Sequence, residues 1–359
     1  MVFRQTISPL PELPTRAPRV SERLREARFW TTAPDGRVRC TLCPRGCALR
    51  DGQHGYCKVR ENRGGVLYSL VQAQVWASNL DPIEKKPFFH YLPGTLAYSI
   101  ATVGCNLRCR YCQNFELSQT RPAERAVRPM PPGRVAELAR ACGSRTIAFT
   151  YNEPVVFAEY VMDTADAAHA AGLRCVAVSN GYLRGEALAA IYGRMDAVKI
   201  DLKAFSESFY TRIVGGHLRP VLDTLEALRK MGKWIEIVYL VVPTLNDSEA
   251  ELHSLTQWIR TSLGRDVPLH FSRFYPEYQL RDLPVTPLAT LERARAIALA
   301  AGLHYVYLGN LPGHPAQNTD CPGCGTLLVE RAGFATSKVR IRNGACPICQ
   351  HPIPGIWDA

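Results

Sequence analysis

Eleven of the thirteen cysteines fall into three groups whose spacing suits metal ligation better than disulfide pairing. The middle group, Cys105-Asn-Leu-Arg-Cys109-Arg-Tyr-Cys112, is a C-x3-C-x2-C loop. Three thiolates on so short a loop can hold three irons of a cubane and leave the fourth iron without a protein ligand. An open metal position accepts a chelating small molecule, whereas a site closed by four cysteines does not. The competing reading is a zinc site that takes three of these cysteines and a distant fourth ligand.

The outer groups look closed. Cys40, Cys43, Cys47 and Cys57 form C-x2-C-x3-C-x9-C, with Gly46, Gly52 and Gly55 allowing the tight turns that gather thiolates. That spacing admits either zinc or an auxiliary iron-sulfur cluster. Its role would be electron relay or substrate anchoring on one reading, and a staple for the N-terminal module on the other. Cys321, Cys324, Cys346 and Cys349 make two C-x2-C knuckles, the pattern of a zinc ribbon or a rubredoxin-like site. Zinc with a structural role is the expectation there, because a short tail cannot bury enough core alone. Partner docking is the rival to stapling. Cys142 and Cys175 stand apart and read as packing residues, and His54, His90 and His314 as hydrogen-bonded structural residues.

The elements that must position these groups can be read from the hydrophobic period. Short β-rich runs alternate with helical patterns: Ala97 to Val103 then Arg134 to Ala141, Thr146 to Thr150 then Val155 to Ala171, Arg174 to Val178 then Glu186 to Tyr192. The series continues through Ala197 to Leu202, Pro220 to Lys230, Ile235 to Val242, Ser248 to Ser262, Leu269 to Phe271, Leu291 to Ala301 and Tyr305 to Leu308. Gly172, Gly232 and Gly302 sit where helices should stop. Strands linked by crossover helices form a parallel sheet, so the fold class is α/β, a partial (β/α) barrel flanked by N-terminal and C-terminal cysteine-rich metal modules. Ligand sites in such barrels lie at the carboxyl ends of the strands. The expected boundaries are an arm over 1–39, a cysteine-rich metal module over 40–94, the barrel core over 95–308 and a zinc-ribbon-like module over 309–359.

Composition narrows the function class. With 359 residues, 47% of them hydrophobic, the chain can bury an ordinary core. Its longest apolar runs fall short of the roughly 20 residues of a membrane span, so no membrane association is expected. The first residues carry Pro9, Pro11, Pro14 and Pro18 and lack a secretory pattern, which predicts a loose arm and a cytoplasmic, reducing setting. The formal charge of +11 counts thiols as neutral. It falls to about +6 with a cluster and two four-cysteine sites in place, which argues for a solvated basic surface rather than a nucleic-acid groove.

The spacing of the middle cysteines, the aromatic Tyr111 before the third of them, and Gly104-Cys105-Asn106 after a strand resemble the radical S-adenosylmethionine (SAM) superfamily. The resemblance implies a [4Fe-4S] cluster on Cys105, Cys109 and Cys112 whose vacant iron binds SAM, and a 5′-deoxyadenosyl radical as the product of its reductive cleavage. It also implies cofactor contacts from Tyr111, from Asn152 and Glu153 in Thr150-Tyr-Asn-Glu-Pro154, from Ser179 and Asn180, from Asp201 and Lys203, and from Tyr275. The segment at 150–154 departs from the paired glycines usual there.

A narrower similarity runs from about Cys40 to the C-terminus. Cys40-Thr-Leu-Cys43-Pro-Arg-Gly-Cys47, Gly52-Gln-His-Gly55-Tyr-Cys57-Lys-Val-Arg60, Asp81-Pro-Ile-Glu84-Lys-Lys-Pro87, Pro93-Gly94 and Cys112-Gln-Asn114 look like the radical enzyme of AmmeMemoRadiSam systems, related to pyruvate formate-lyase activating enzymes. That implies Memo-like and Amme-type partner proteins, and an electron donor such as flavodoxin or ferredoxin. The rival within the same chemistry is an activase that leaves a glycyl radical on a partner protein. The rival from another class is a non-catalytic iron-sulfur or zinc module that senses redox state or binds RNA.

Overall fold

The computed structural model describes residues 24–122 and 129–358; the four prolines of the expected arm lie outside them. The first part of the described chain is two small antiparallel sheets. One contains β1 (Arg25–Glu26), β5 (Arg60–Arg63) and β6 (Val66–Ser69), in the order β1-β6-β5; the other is β2 (Trp30–Thr32), β3 (Val38–Cys40) and β4 (Ala48–Leu49). Within the expected arm over 1–39, Arg25–Glu26 pair with β6, and Trp30–Thr32 pair with β3, the strand that carries Cys40. Runs of two or three residues are too short to show alternation, so sequence periodicity cannot reveal them.

The barrel begins with β7 (Ala77–Pro82), which pairs antiparallel with β8 (Leu96–Ala101). Then follow α1 (Phe115–Ser118), α2 (Pro132–Ala141), β9 (Thr146–Phe149), α3 (Ala158–Ala170), β10 (Arg174–Ser179), α4 (Gly185–Tyr192) and β11 (Ala197–Asp201). The remainder is α5 (Glu207–Phe209), α6 (Arg219–Lys230), β12 (Trp234–Val241), α7 (Glu249–Trp258), β13 (Leu269–Arg273), α8 (Leu288–Ala300) and β14 (Val306–Gly309). From β8 to β14 every neighbour is parallel and spatial order equals chain order, while β7 and β14 are the two free edges of the sheet. The expected partial barrel is what forms.

Local chemistry explains the helices. On α6, Val221, Leu222, Leu225 and Leu228 recur on one face and are buried; Pro220 opens the helix, and Arg229 and Lys230 sit in its last turn, where cations suit the dipole. On α7, Ser248 caps the N-terminus by accepting from the Glu251 amide (3.3 Å).

The connection from β7 to β8 folds beneath the barrel. Ile83, Phe88, Tyr91 and Leu92 pack with Ala97, Ala148, Val176 and Ala197, one residue from each of β8 to β11. The C-terminal module seals this floor. Its strands β15 (Thr319–Asp320), β16 (Leu327–Ala332) and β17 (Ala335–Val339) form a small antiparallel sheet. The end of the chain pairs with the floor, Leu92 N donating to Ile356 O (2.7 Å) and Ile356 N to His90 O (2.8 Å). Arg331 adds a bond to the Phe89 carbonyl (2.6 Å), and its guanidinium lies 4.2 Å from the Phe89 ring centroid. No helix of the described residues is long and apolar enough to cross a membrane.

Candidate functional site

The middle cysteines lie on the loop that leaves β8. Gly104 sets its course: its φ is +89°, and a Cβ there would stand 2.6 Å from both the Cys57 carbonyl oxygen and Val59 Cγ1, a distance only glycine tolerates. The loop is pinned by backbone bonds from Arg108 N to Val214 O (2.9 Å) and from Arg110 N to Ile213 O (3.0 Å). Cys105 Sγ accepts from the Leu107 backbone amide (3.4 Å) and from Asn180 Nδ2 (3.7 Å), and Cys112 Sγ lies 3.3 Å from Ser118 Oγ. At least one pair among the Cys105, Cys109 and Cys112 sulfurs is more than 4.8 Å apart, because Cys321, Cys324, Cys346 and Cys349 are the sole group among the described residues to meet that limit. The spacing suits a multi-iron cluster better than one zinc ion.

The loops after the next three strands converge on the same place. Glu153, after β9, is buried and caps the turn at Val155 with its Oε1 (3.0 Å). It also accepts from Ser179 Oγ (2.6 Å) and from the Asn180 amide (2.8 Å), both at the end of β10. Burial pushes the Glu153 carboxyl up to about 7, against those three donors. At the end of β11, Asp201 sits between Lys199 and Lys203, the latter at 2.8 Å. Burial would raise the Asp201 pKa, yet the two ammonium groups hold it well below the usual carboxylate range. Lys203 also faces Cys109, whose thiol burial pushes up to about 12 while Lys203 opposes the rise.

The side chains expected to contact a cofactor differ in how far the protein itself already engages them. Asn152 is spent on the backbone: its Nδ2 donates to Gly104 O (3.0 Å) and Thr102 Oγ1 (3.2 Å), and its Oδ1 accepts from Thr102 N (3.3 Å). It therefore clamps the entry to the cysteine loop. Asn180 likewise bridges Asn106 Oδ1 (2.9 Å) and the Tyr182 amide (2.8 Å), and Ser179 is a positioning residue for Glu153, itself held by the Tyr192 hydroxyl (2.7 Å). Tyr111 is buried beside Phe209, and its hydroxyl has no hydrogen-bond partner among the described residues. A buried donor left open where cysteines and charges converge fits a bound cofactor. Tyr275 is not drawn into this group: its hydroxyl donates to Asn310 O (3.4 Å), near the end of β14, and its ring lies by Arg273.

A second polar set lies beside this one, and of it the sequence reading did not single out Lys199. Lys199, buried within β11, continues the row Lys199, Asp201, Lys203 that alternates with apolar Val198, Ile200 and Leu202. The period of two was the available signal for a polar inner face. Nearby, Asp81 accepts from Lys85 (2.9 Å), Lys86 (2.5 Å) and the Tyr151 hydroxyl. Burial pushes the Lys86 amine down to about 8, despite Asp81. Tyr151 takes a left-handed φ of 67°, and Asn114, just past the third cysteine, donates to its carbonyl (2.9 Å).

The outer cysteines separate by geometry. Cys321, Cys324, Cys346 and Cys349 bring all four sulfurs within 4.8 Å of one another, with Cys321–Cys349 at 3.5 Å and Cys324–Cys346 at 3.7 Å. Zn–S bonds of about 2.3 Å arranged tetrahedrally put sulfurs about 3.8 Å apart, so one ion fits there. Cys40, Cys43, Cys47 and Cys57 instead line a shared cavity of about 350 Å³, counting the part open to solvent.

Residues 99–255 match the model of the Radical SAM superfamily. An uncharacterized protein of Methanocaldococcus jannaschii is 43% identical over 332 residues, 92% of this chain and 99% of that one. The pyruvate formate-lyase-activating enzyme of Clostridium pasteurianum is 26% identical over 199 residues, 50% of this chain and 80% of its own. Among solved structures, a radical SAM methyltransferase from Sphaerobacter thermophilus aligns with a TM-score of 0.48 and 15% identity, covering 80% of this chain and 76% of that one.

Proposed function

The chain belongs to the radical SAM superfamily, and from that premise we propose that Cys105, Cys109 and Cys112 hold its [4Fe-4S] cluster and leave one iron for SAM. When bound, the pair supplies reductive cleavage of SAM to methionine and a 5′-deoxyadenosyl radical, which takes a hydrogen atom from an unactivated carbon of the substrate. The protein contributes position and charge. Asp201 and Lys203 offer opposite charges to the zwitterionic methionine end, which needs partners once desolvated. Glu153, held by Ser179 and Asn180, presents a carboxylate to its ammonium. Tyr111 walls the site with an apolar ring and a free hydroxyl, while Asn152 and Asn114 fix the backbone on which these groups stand.

The observation that carries this reading is the convergence of Cys105, Cys109, Glu153, Ser179, Asn180, Asp201 and Lys203 at the carboxyl ends of four consecutive strands. The motifs from Cys40 to Asn114 further support membership of an AmmeMemoRadiSam system, with Memo-like and Amme-type proteins as partners and a flavodoxin or ferredoxin as donor in a reducing cytoplasm. We assign zinc to Cys321, Cys324, Cys346 and Cys349 as a structural ion. Anaerobic incubation of the reconstituted, reduced protein with SAM should release 5′-deoxyadenosine and methionine; C112A should release neither, and equal release by C112A would overturn the assignment.

A further inference from the structure

We infer that Cys40, Cys43, Cys47 and Cys57 close around a second iron-sulfur cluster of the cubane kind, packed directly against the loop of the first. Charge does not choose between this and zinc, because four thiolates give a net charge of about −2 around either a 2+ cubane or a zinc ion. Size does choose. Four sulfurs on one zinc must crowd to about 3.8 Å, and the C-terminal cysteines do so. No three of the N-terminal sulfurs come within 4.8 Å of one another, although all four cysteines line the one cavity. A cubane sets each cysteine on a different iron, so it needs sulfurs held apart around a hollow.

The walls suit such a guest. Cys40, Cys43 and Cys57 are buried. The Tyr56 amide donates to Cys47 Sγ (3.4 Å), and Arg60 Nη1 donates to Cys40 Sγ (3.7 Å); such bonds to sulfur tune iron-sulfur centres. Gly55 borders the hollow, the position of a Cβ on it lying in ordinary contact range of Cys57 Sγ (3.7 Å) and Cys47 Sγ (3.9 Å). Asn106, next to Cys105, lines the same cavity, and the Cys57 carbonyl touches Gly104. The two cysteine sets thus share a wall. With four ligands the second cluster has no open iron, so it holds and passes electrons without binding SAM.

The test is a count of acid-labile sulfide and iron in the reconstituted wild-type protein, which does not depend on turnover. Two cubanes give about eight sulfides per chain, whereas one cubane with zinc at the N-terminal site gives about four and overturns the inference. The triple variant C105A/C109A/C112A should keep about four sulfides and, once reduced, a paramagnetic signal that SAM leaves unchanged. Loss of all sulfide from that variant, with zinc in its place, would also overturn it. Failure of the proposed function reads differently: C40A/C43A/C47A/C57A would then keep a cluster indifferent to SAM, or none.

Discussion

The two outer cysteine groups have the same number of thiols and opposite surroundings. The C-terminal four stand tight, two of them exposed, on a small sheet that seals the barrel floor. The N-terminal four are spread around a hollow beside the cysteine loop at the other end of the strands. Ligand type alone does not determine the metal or its purpose. Sulfur spacing and the element that the site touches do, and on the assignments proposed above they separate a staple from a neighbour of the chemistry.

That contrast can be broken by substitution. The largest effect should come from C346A, which removes one ligand of the closed ion; we expect a stability loss of about 5 kcal/mol or more, read by thermal unfolding, with iron content per folded chain preserved. R60M should act at the other end. It leaves the buried Glu159 without its cation, which costs about 3–5 kcal/mol, and it strips a donor from Cys40, so chemical denaturation and iron content should both fall.

A pH scan sharpens the comparison at the floor. His90 is buried, placed to donate from Nδ1 to Pro354 O (2.7 Å) and to accept at Nε2 from the Tyr307 hydroxyl (2.6 Å), and burial lowers its pKa from 6.5 to about 4. The unfolded chain therefore binds the extra proton first. This stability contribution is fully present above pH 6.5 and is lost as pH falls through that window to about 4, by about 3 kcal/mol at most. Unfolding midpoints measured across it should decline in wild type and flatten in H90Q. The smallest effect expected is that of G104A, about 1–3 kcal/mol of overlap with the Cys57 carbonyl. It should lower iron at both N-terminal centres in the same sample while leaving zinc untouched, as measured by elemental analysis.

Much of this was legible in the sequence, for physical reasons that differ by element. The barrel strands are long enough to show their period, as in Ala97 to Ala101 and Ala197 to Asp201, and Gly172 and Gly232 mark helix ends by adopting φ of +75° and +67°. The cysteine loop is local, so its spacing carried its chemistry. What could not be read depends on distant contacts. The bonds of Asn152 to Gly104 and Thr102, and that of Tyr275, just after β13, to Asn310, just after the neighbouring β14, join residues far apart in the chain. Sulfur spacing at Cys40 to Cys57 is set by strands of two to four residues, which leave no pattern to read.

The open iron is tested most directly by electron paramagnetic resonance of the reduced protein with SAM labelled by ¹⁷O in its carboxylate. Chelation at an iron that Cys105, Cys109 and Cys112 leave free predicts a broadened cluster signal, absent in C109A. A signal identical with labelled and unlabelled SAM would contradict it.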